Sequence, residues 1–298
     1  GITAMTTKEE DFVEHIFTTS THNYMIFFTN KGKCYRLKVY DIPEAGRTAK
    51  GTAIVNLLNI SGGENITTVI PVESFESKDG EELFLMSATK DGMVKKTPLA
   101  EYDTSRRDGI IAINLEEGDE LIGVQLTDGK QDIILVTADG QSIRFNEEEA
   151  RPMARATKGV RGIKLLEGDH VVAMEVARDD AQLLVVTENG YGKRTEMDEY
   201  RQQARGGKGV FTVRPSERNG KIIGALVVKE DEEIMAISKD GIIIRIKVED
   251  ISKMGRTTQG VTIMKVAEED LVISITRVVE HDETEKTAKK EMTLFEEE

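Results

Sequence analysis

Short apolar runs of four to seven residues alternate with polar turns along most of the chain, too short and too evenly spaced to be amphipathic helices. A Thr or Ser three residues before a Gly closes such a run five times: Thr29 and Gly32, Thr89 and Gly92, Thr137 and Gly140, Thr187 and Gly190, Ser238 and Gly241. Asp91, Asp139, Asn189 and Asp240 precede four of those glycines. Asp-Gly or Asn-Gly between apolar runs is a strong hairpin signal, because a type I′ turn needs positive φ at both central residues. The pattern therefore predicts hairpins pairing 133–136 with 142–145, 183–186 with 192–195, and 234–237 with 242–247.

The turn glycines are 60, 48, 50 and 51 residues apart, which makes the hairpins members of a repeat. A second glycine follows 19 residues later at Gly51, Gly159, Gly209 and Gly260, and 17 residues later at Gly109. Behind it the apolar pattern predicts a third strand (110–115, 160–165, 261–266) and then a fourth (121–126, 171–176, 222–228, 271–279). The linkers between strands two and three, such as 146–152 and 248–254, read as a short helical turn or loop. Four strands in roughly 50 residues is the arithmetic of propeller-like blades. Residues 1–20 supply half of another copy: Gly1, Ile2, Met5, Asp11 and Val13 match Gly159, Val160, Ile163, Asp169 and Val171 at a constant offset of 158. The expectation is an all-β chain of six four-stranded blades in one domain over 1–279, followed by an acidic tail at 280–298.

Composition changes this picture little until the charges are located. The 298 residues carry 40 Lys+Arg against 54 Asp+Glu, a net of −14, which by itself argues against nucleic acid. A single cysteine, Cys34, excludes a disulfide framework and fits a reducing cytoplasm. No apolar run approaches the ~20 residues that span a bilayer, so no membrane association is expected.

The basic residues nevertheless fall in register. Arg36, Lys96, Arg144, Arg194 and Arg245 lie four residues after the turn glycine, with Lys95 and Lys193 beside two of them. Arg47, Arg155, Arg205 and Arg256 lie four residues before the second glycine, and Arg106 and Arg107 fall nearby in the shortened copy. Lys50, Lys158 and Lys208 directly precede that glycine. Solubility explains any one of these positions. It does not explain five of five in an acidic chain, where Glu would serve as well. Acidic residues cluster elsewhere, and the tail alone holds eight of them with three lysines, a net of −5.

A cation recurring once per blade makes a belt, which suits a long curved polyanion such as duplex DNA. Bending 20–30 bp by 40–90° costs about 1–6 kcal/mol, so a wrap needs many distributed phosphate contacts. The sharpest loop is Gln203-Ala204-Arg205-Gly206-Gly207-Lys208-Gly209, where paired glycines permit close backbone approach beside two cations. Catalytic chemistry finds little support. The four histidines are scattered, and Gly190-Tyr191-Gly192-Lys193-Arg194-Thr195 lacks phosphate-loop spacing. No metal or cofactor is expected.

Three stretches carry a resemblance. They are Asp11-Phe12-Val13-Glu14-His15 leading to Phe27-Phe28-Thr29-Asn30-Lys31-Gly32; Tyr40-Asp41-Ile42-Pro43-Glu44-Ala45-Gly46-Arg47-Thr48-Ala49-Lys50-Gly51; and Thr187-Glu188-Asn189-Gly190-Tyr191-Gly192-Lys193-Arg194-Thr195. On these the chain resembles the C-terminal domains of the DNA gyrase A subunit. The resemblance implies a six-bladed β-pinwheel whose blades exchange strands and whose basic rim wraps double-stranded DNA. It implies partners in the cleavage-reunion domain of the same polypeptide and in the gyrase B subunit, which together perform ATP-dependent type IIA topoisomerase chemistry in a bacterial, nucleoid-associated setting. Residues 203–209 are similar to the family's Gln-Arg-Arg-Gly-Gly-Lys-Gly box, with Ala204 in place of a basic residue. None of Tyr24, Tyr35, Tyr40, Tyr102, Tyr191 or Tyr200 takes the catalytic tyrosine's role, which the resemblance assigns to another domain. The tail at 280–298 is expected to compete with DNA for the belt. The alternatives are the related domain of topoisomerase IV and a propeller-type protein-interaction platform.

Overall fold

The computed structural model describes residues 23–39, 58, 60–77, 79–106 and 108–278, which form strands and single 3-10 turns joined by turns and loops. The first repeat contributes β1 (Tyr24–Thr29), β2 (Lys33–Lys38) and β3 (Ile66–Val72). The second gives β4 (Phe84–Thr89), β5 (Met93–Pro98), β6 (Ile110–Ile111) and β7 (Leu121–Thr127). The third gives β8 (Asp132–Thr137), β9 (Gln141–Asn146), β10 (Val160–Arg161) and β11 (Val171–Val176). The fourth gives β12 (Gln182–Thr187), β13 (Tyr191–Glu196), β14 (Val210–Phe211) and β15 (Ile222–Val228). The fifth gives β16 (Glu233–Ser238), β17 (Ile243–Lys247), β18 (Val261–Thr262) and β19 (Val272–Arg277). Each predicted hairpin closes at its predicted turn.

The sheets run β3-β1-β2-β6, β7-β4-β5-β10, β11-β8-β9-β14, β15-β12-β13-β18 and β19-β16-β17. The fourth strand of each repeat returns to its own hairpin, whereas the short third strand pairs with the second strand of the preceding repeat. Every blade of four described strands is thus finished by its neighbour. The described residues form five blades. The expected sixth rests on residues 1–20, outside the described residues, as does the tail.

The third strand is shorter than predicted. It spans two residues because the chain then arches over the turn glycine of the receiving blade. Ala112 and Ile113 donate to the Gly32 carbonyl at 2.7 and 3.3 Å, and Ile263 and Met264 to that of Gly190 at 2.8 and 3.1 Å. The apolar residues behind it, Ile113, Ile163, Val213 and Met264, are buried as plugs rather than strand members.

The cores lie between blades. Ile26 and Phe28 of the first repeat pack with Leu85, Leu99, Tyr102 and Leu121 of the second. Met86 and Ala88 of the second pack with Leu135, Phe145 and Val171 of the third. The fourth strands β3, β7, β11, β15 and β19 stand side by side on the inside, so the donated strands occupy the outer edge.

Candidate nucleic-acid interface

The cations four residues after the turn glycine sit on the second strand of each hairpin. Most are turned into the joint with the next blade. Lys96 is 4 % exposed and its Nζ donates to the Glu147 carbonyl at 3.0 Å. Arg144 donates to the Met197 carbonyl at 3.1 Å while its Nε and Nη2 pair with Asp132 and Asp179 at 2.8 and 2.9 Å. Arg194 is 6 % exposed, donates to the Ile251 carbonyl at 2.7 Å and pairs with Glu230 at 3.0 Å. Arg36 pairs with Asp103. The carbonyl acceptors and Asp103 belong to the 3-10 turn, or its capping residue, of the following repeat (Leu99–Tyr102, Glu147–Glu149, Met197–Glu199 and Val248–Asp250), whereas Asp132, Asp179 and Glu230 lie in the cation's own repeat. The Glu147 and Met197 carbonyls already accept from Ala150 and Tyr200 N–H at 3.0 Å each and take the cation as a second donor. Arg245, in the last described blade, pairs with Glu233 of its own hairpin and its side chain remains 59 % exposed.

This corrects the reading of an exposed belt at that register. The recurrence of Arg and Lys there is set by blade joining, and only Arg245 of the five is presented to solvent.

Lys95 and Lys193 are corrected more strongly, since neither has any exposed surface. Lys193 Nζ donates to the carbonyls of Gly255, Arg256 and Thr258 at 3.0, 2.6 and 2.7 Å. Lys95 donates in the same way to the carbonyls of Ala112 and Arg155. Each ammonium braces the loop of the next repeat from beneath, where no phosphate reaches it. Burial pulls both down to about 8 from the ordinary 10.5. Between those values the unfolded chain holds more protons than the folded one, so these lysines contribute increasing stability as pH rises through that window. The stability gap between the native chain and Lys193→Met therefore widens from pH 7.5 to pH 9 in urea titrations. Comparing the two cancels the opposing effect of buried Cys34, whose thiol burial pushes up to about 12. A gap that stays constant with pH contradicts this assignment.

The row before the second glycine braces in the opposite direction. Arg205 and Arg256 donate Nη1 to the carbonyls of Arg161 and Phe211, each at 2.6 Å, and Arg155 donates likewise to Ile111. Their backbone N–H groups donate to Glu149, Glu199 and Glu101 at 3.0, 3.0 and 3.2 Å. The carbonyls belong to the strand donated by the preceding repeat, so these half-buried arginines tie successive outer loops together. The three glutamates were absent from the candidates. Their signal was in the sequence: Asp41, Glu101, Glu149, Glu199 and Asp250 all lie nine residues after a turn glycine.

Arg106, Lys158 and Lys208 are exposed on the outer loops, with Lys158 paired to Glu116 at 2.6 Å. Arg47, Lys50 and Arg107 lie outside the described residues. The loop Gln203 to Gly209 is pinned by Gly206 N–H to the Gly162 carbonyl and by Lys164 N–H to the Gly207 carbonyl, both at 2.8 Å. With Arg201 and Gln202 it walls an open hollow of about 450 Å³ into which no other repeat intrudes. A further exposed row escaped the sequence reading. Lys164, Arg214 and Lys265 lie five residues after their second glycines, just past the donated strands, and Arg161 lies within one. Arg214 is stacked over the Phe211 ring at 4.5 Å. None of Arg161, Lys164, Lys208, Arg214 or Lys265 forms an ion pair among the described residues.

Repeats of this length, strand exchange between blades and an outer edge lined with cations define a recognisable architecture. The profile of the DNA gyrase C-terminal domain, beta-propeller, matches residues 1–20, 23–73, 84–128, 131–178, 181–229 and 232–278, segment for segment with the repeats. The chain belongs to this family. The DNA gyrase A subunit of Halalkalibacterium halodurans is 57 % identical over 287 residues, covering 96 % of the chain and 34 % of that protein. Its counterpart from Clostridium acetobutylicum is 50 % identical over 282 residues, covering 95 % and 34 %. The chain thus spans about a third of the curated relatives it matches. Among solved structures, the C-terminal domain of DNA topoisomerase IV superposes with a TM-score of 0.82 at 31 % identity, covering 92 % of this chain and 84 % of that one. A DNA gyrase A C-terminal domain superposes at 0.75 with 26 % identity, covering 87 % and 84 %. Among the described residues no helix is long and apolar enough to cross a membrane.

Proposed function

We propose that this gyrase-type domain wraps duplex DNA around the outer edge of its blades, as part of a gyrase A subunit in the bacterial cytoplasm. The carrying observation is the exposed cation row on the donated segments: Lys158, Arg161 and Lys164, then Lys208 and Arg214, then Lys265. These side chains repeat at the largest radius of the ring, where a phosphate backbone runs past one blade after another. No base-reading group accompanies them, so binding is sequence-independent and works through phosphate contacts and DNA deformability. Residues 1–20 complete a sixth blade, which makes 1–279 one wrapping unit with the acidic tail beyond it. In the holoenzyme the wrap presents a DNA crossing to the cleavage-reunion domain and supports ATP-dependent negative supercoiling with the gyrase B subunit. The domain needs no cofactor of its own. Membership of topoisomerase IV is the second reading, favoured by that family's higher TM-score; the 57 % identity to a gyrase protein favours the first.

The test is duplex affinity against salt for a short and a long fragment. Each phosphate contact contributes about −0.9 to the slope of log affinity against log salt, so the long fragment has the steeper slope. Changing the six row residues to Gln lowers the long-fragment slope by up to about 5 and affinity by roughly 10³ at moderate salt. Equal slopes for both fragments would rule out wrapping, and no binding at low salt would leave the interaction-platform reading.

A further inference from the structure

We propose that the buried cations four residues after each turn glycine are positioning residues for DNA: they set the angle between successive blades, and through it the path of the wrapped duplex. The inference rests on the wrapping function above and goes beyond it, because it assigns to Lys96, Arg144 and Arg194 a role without phosphate contact.

Three observations carry it. First, the same bond recurs at each described joint between the second and fifth blades. Lys96 reaches the Glu147 carbonyl, Arg144 the Met197 carbonyl and Arg194 the Ile251 carbonyl, each from the second strand of one repeat to the 3-10 turn of the next. Secondly, the backbone beside each bond repeats it. The Lys96, Arg144 and Arg194 carbonyls accept from Met153, Gln203 and Met254 N–H at 2.8, 2.7 and 2.9 Å. A side-chain bond and a backbone bond from one residue to two points on the next repeat fix an angle, where one bond alone leaves a hinge. Thirdly, the segment held by the backbone bond leads straight into the outer loop bearing Arg155 and Lys158, Arg205 and Lys208, or Arg256. That loop feeds the strand donated back to the blade holding the bond (β10 to β5, β14 to β9, β18 to β13), so rotating the joint swings the following blade, with the cations donated to it, relative to the exposed cations of the blade before it. A wrap needs each phosphate cluster presented at the next turn of the same curve, so angular error accumulates from blade to blade.

Arg245 supplies the control. It holds the same register but is 59 % exposed, so a contribution from it to DNA is direct.

The experiment uses the 298-residue chain with Arg144→Gln and Arg245→Gln, and three readouts. The first is the change in linking number that each bound chain constrains in a nicked plasmid ligated in its presence. The second is the salt slope for a short duplex, about one helical turn long, that engages a single blade. The third, without DNA, is the distance between spin labels at Asp128→Cys and Asp231→Cys, which lie on either side of the joint; buried Cys34 stays unlabelled. R144Q is expected to lower the constrained linking number at least two-fold and to shift or broaden the label distance, with the short-duplex slope unchanged. R245Q is expected to lower that slope by about 0.9 and leave the distance alone. R144K restores the distance, because Lys96 makes the same bond with a lysine. A reduced slope in R144Q equal to that of R245Q overturns the proposal in favour of phosphate contact. A lowered melting temperature with linking number and distance intact overturns it in favour of stability alone. Should R144Q fail to fold, Lys96→Gln gives up one hydrogen bond and the placement of its ammonium over the Phe84 ring at 5.2 Å, and carries the same test. Absence of DNA binding by the native chain refutes the wrapping function itself, while the label distance still reports on the joint.

Discussion

Gly140→Ala is expected to lower stability by more than about 3 kcal/mol and to release the outer strand of the third blade. Gly140 sits at φ +92°, and a Cβ there would lie 1.7 Å from the backbone carbonyl oxygen of Val213. The left-handed conformation alone costs an alanine about 1–2 kcal/mol. The collision costs more, because Val213 cannot yield locally. Its neighbour Thr212 donates to the Gly140 carbonyl at 2.8 Å, and Val213 itself plugs the core shared by the third and fourth blades. Making room means lifting the whole donated segment, with the pairing of Val210 and Phe211 to Ser142 and Gln141. Gly168 is the matched control: its φ is +76°, and a Cβ would meet nothing within 4 Å. Gly168→Ala therefore shows the conformational cost without the collision. Urea midpoints for the two variants decide the matter, and a G140A loss no larger than that of G168A would mean the donated segment does not hold the blade. The same variant loses DNA affinity disproportionately, because Lys208 and Arg214 flank the lifted strand.

The hairpins were legible because two local rules agree: apolar alternation sets the strands, and Asp-Gly or Asn-Gly sets the turns. Strand exchange was implied only by the resemblance and not by the residue pattern, since it depends on which of two equivalent hairpin edges the two-residue strand meets, and Val160 and Arg161 look the same in either place. The register of the cations was correct and its meaning was not. The sequence shows that Arg144 and Arg194 recur; it cannot show that the partner is a carbonyl, because every residue has one. Acidic residues are visible in sequence, and the recurring acids of the linker turn, Glu101, Glu149 and Glu199, mark where the backbone N–H groups of Arg155, Arg205 and Arg256 are held, although they do not pair with those guanidinium groups. Lys164, Arg214 and Lys265 were missed for a different reason. They follow apolar residues expected to continue a strand, and only the arch over the turn glycine turns them outward.

Arg277→Ala is expected to cost about 2–4 kcal/mol at neutral pH, with the deficit shrinking as pH falls towards 5. The target is a single carboxylate on the inner face of the ring. Glu175 on β11 is 4 % exposed; it accepts from Gln125 on β7 at 2.9 Å and from Val227 N–H on β15 at 3.0 Å. Arg277 on β19 pairs with it and also donates Nη2 to the Val227 carbonyl at 2.8 Å. One cluster thus joins the inner strands of four blades. Removing Arg277 leaves a buried carboxylate with only the weaker influence of Arg178, which is the costly way to break such a pair; that residual charge and the partial exposure of Arg277 put the loss towards the lower end.

Burial already raises the Glu175 pKa, against the lowering effect of Arg277. Without the arginine it rises further. A carboxylate whose folded pKa lies above its unfolded value binds more protons in the folded state, so acidification through that window favours folding. The R277A chain therefore gains more on acidification than the native chain does. Glu175→Gln in the R277A background recovers part of the loss at neutral pH, giving a non-additive double-mutant cycle. A deficit independent of pH, or strictly additive losses, would show that Glu175 and Arg277 are not coupled. An apolar pair would bury comparable area, but β15 is an edge strand on the inside, and its Val227 N–H would be left without a partner and its carbonyl with only the long bond from Arg178 at 3.5 Å. The carboxylate accepts from one and the guanidinium donates to the other. That requirement, rather than attraction between the charges alone, accounts for an ion pair between the inner strands, with Gln125, Arg178 and Glu232 around it.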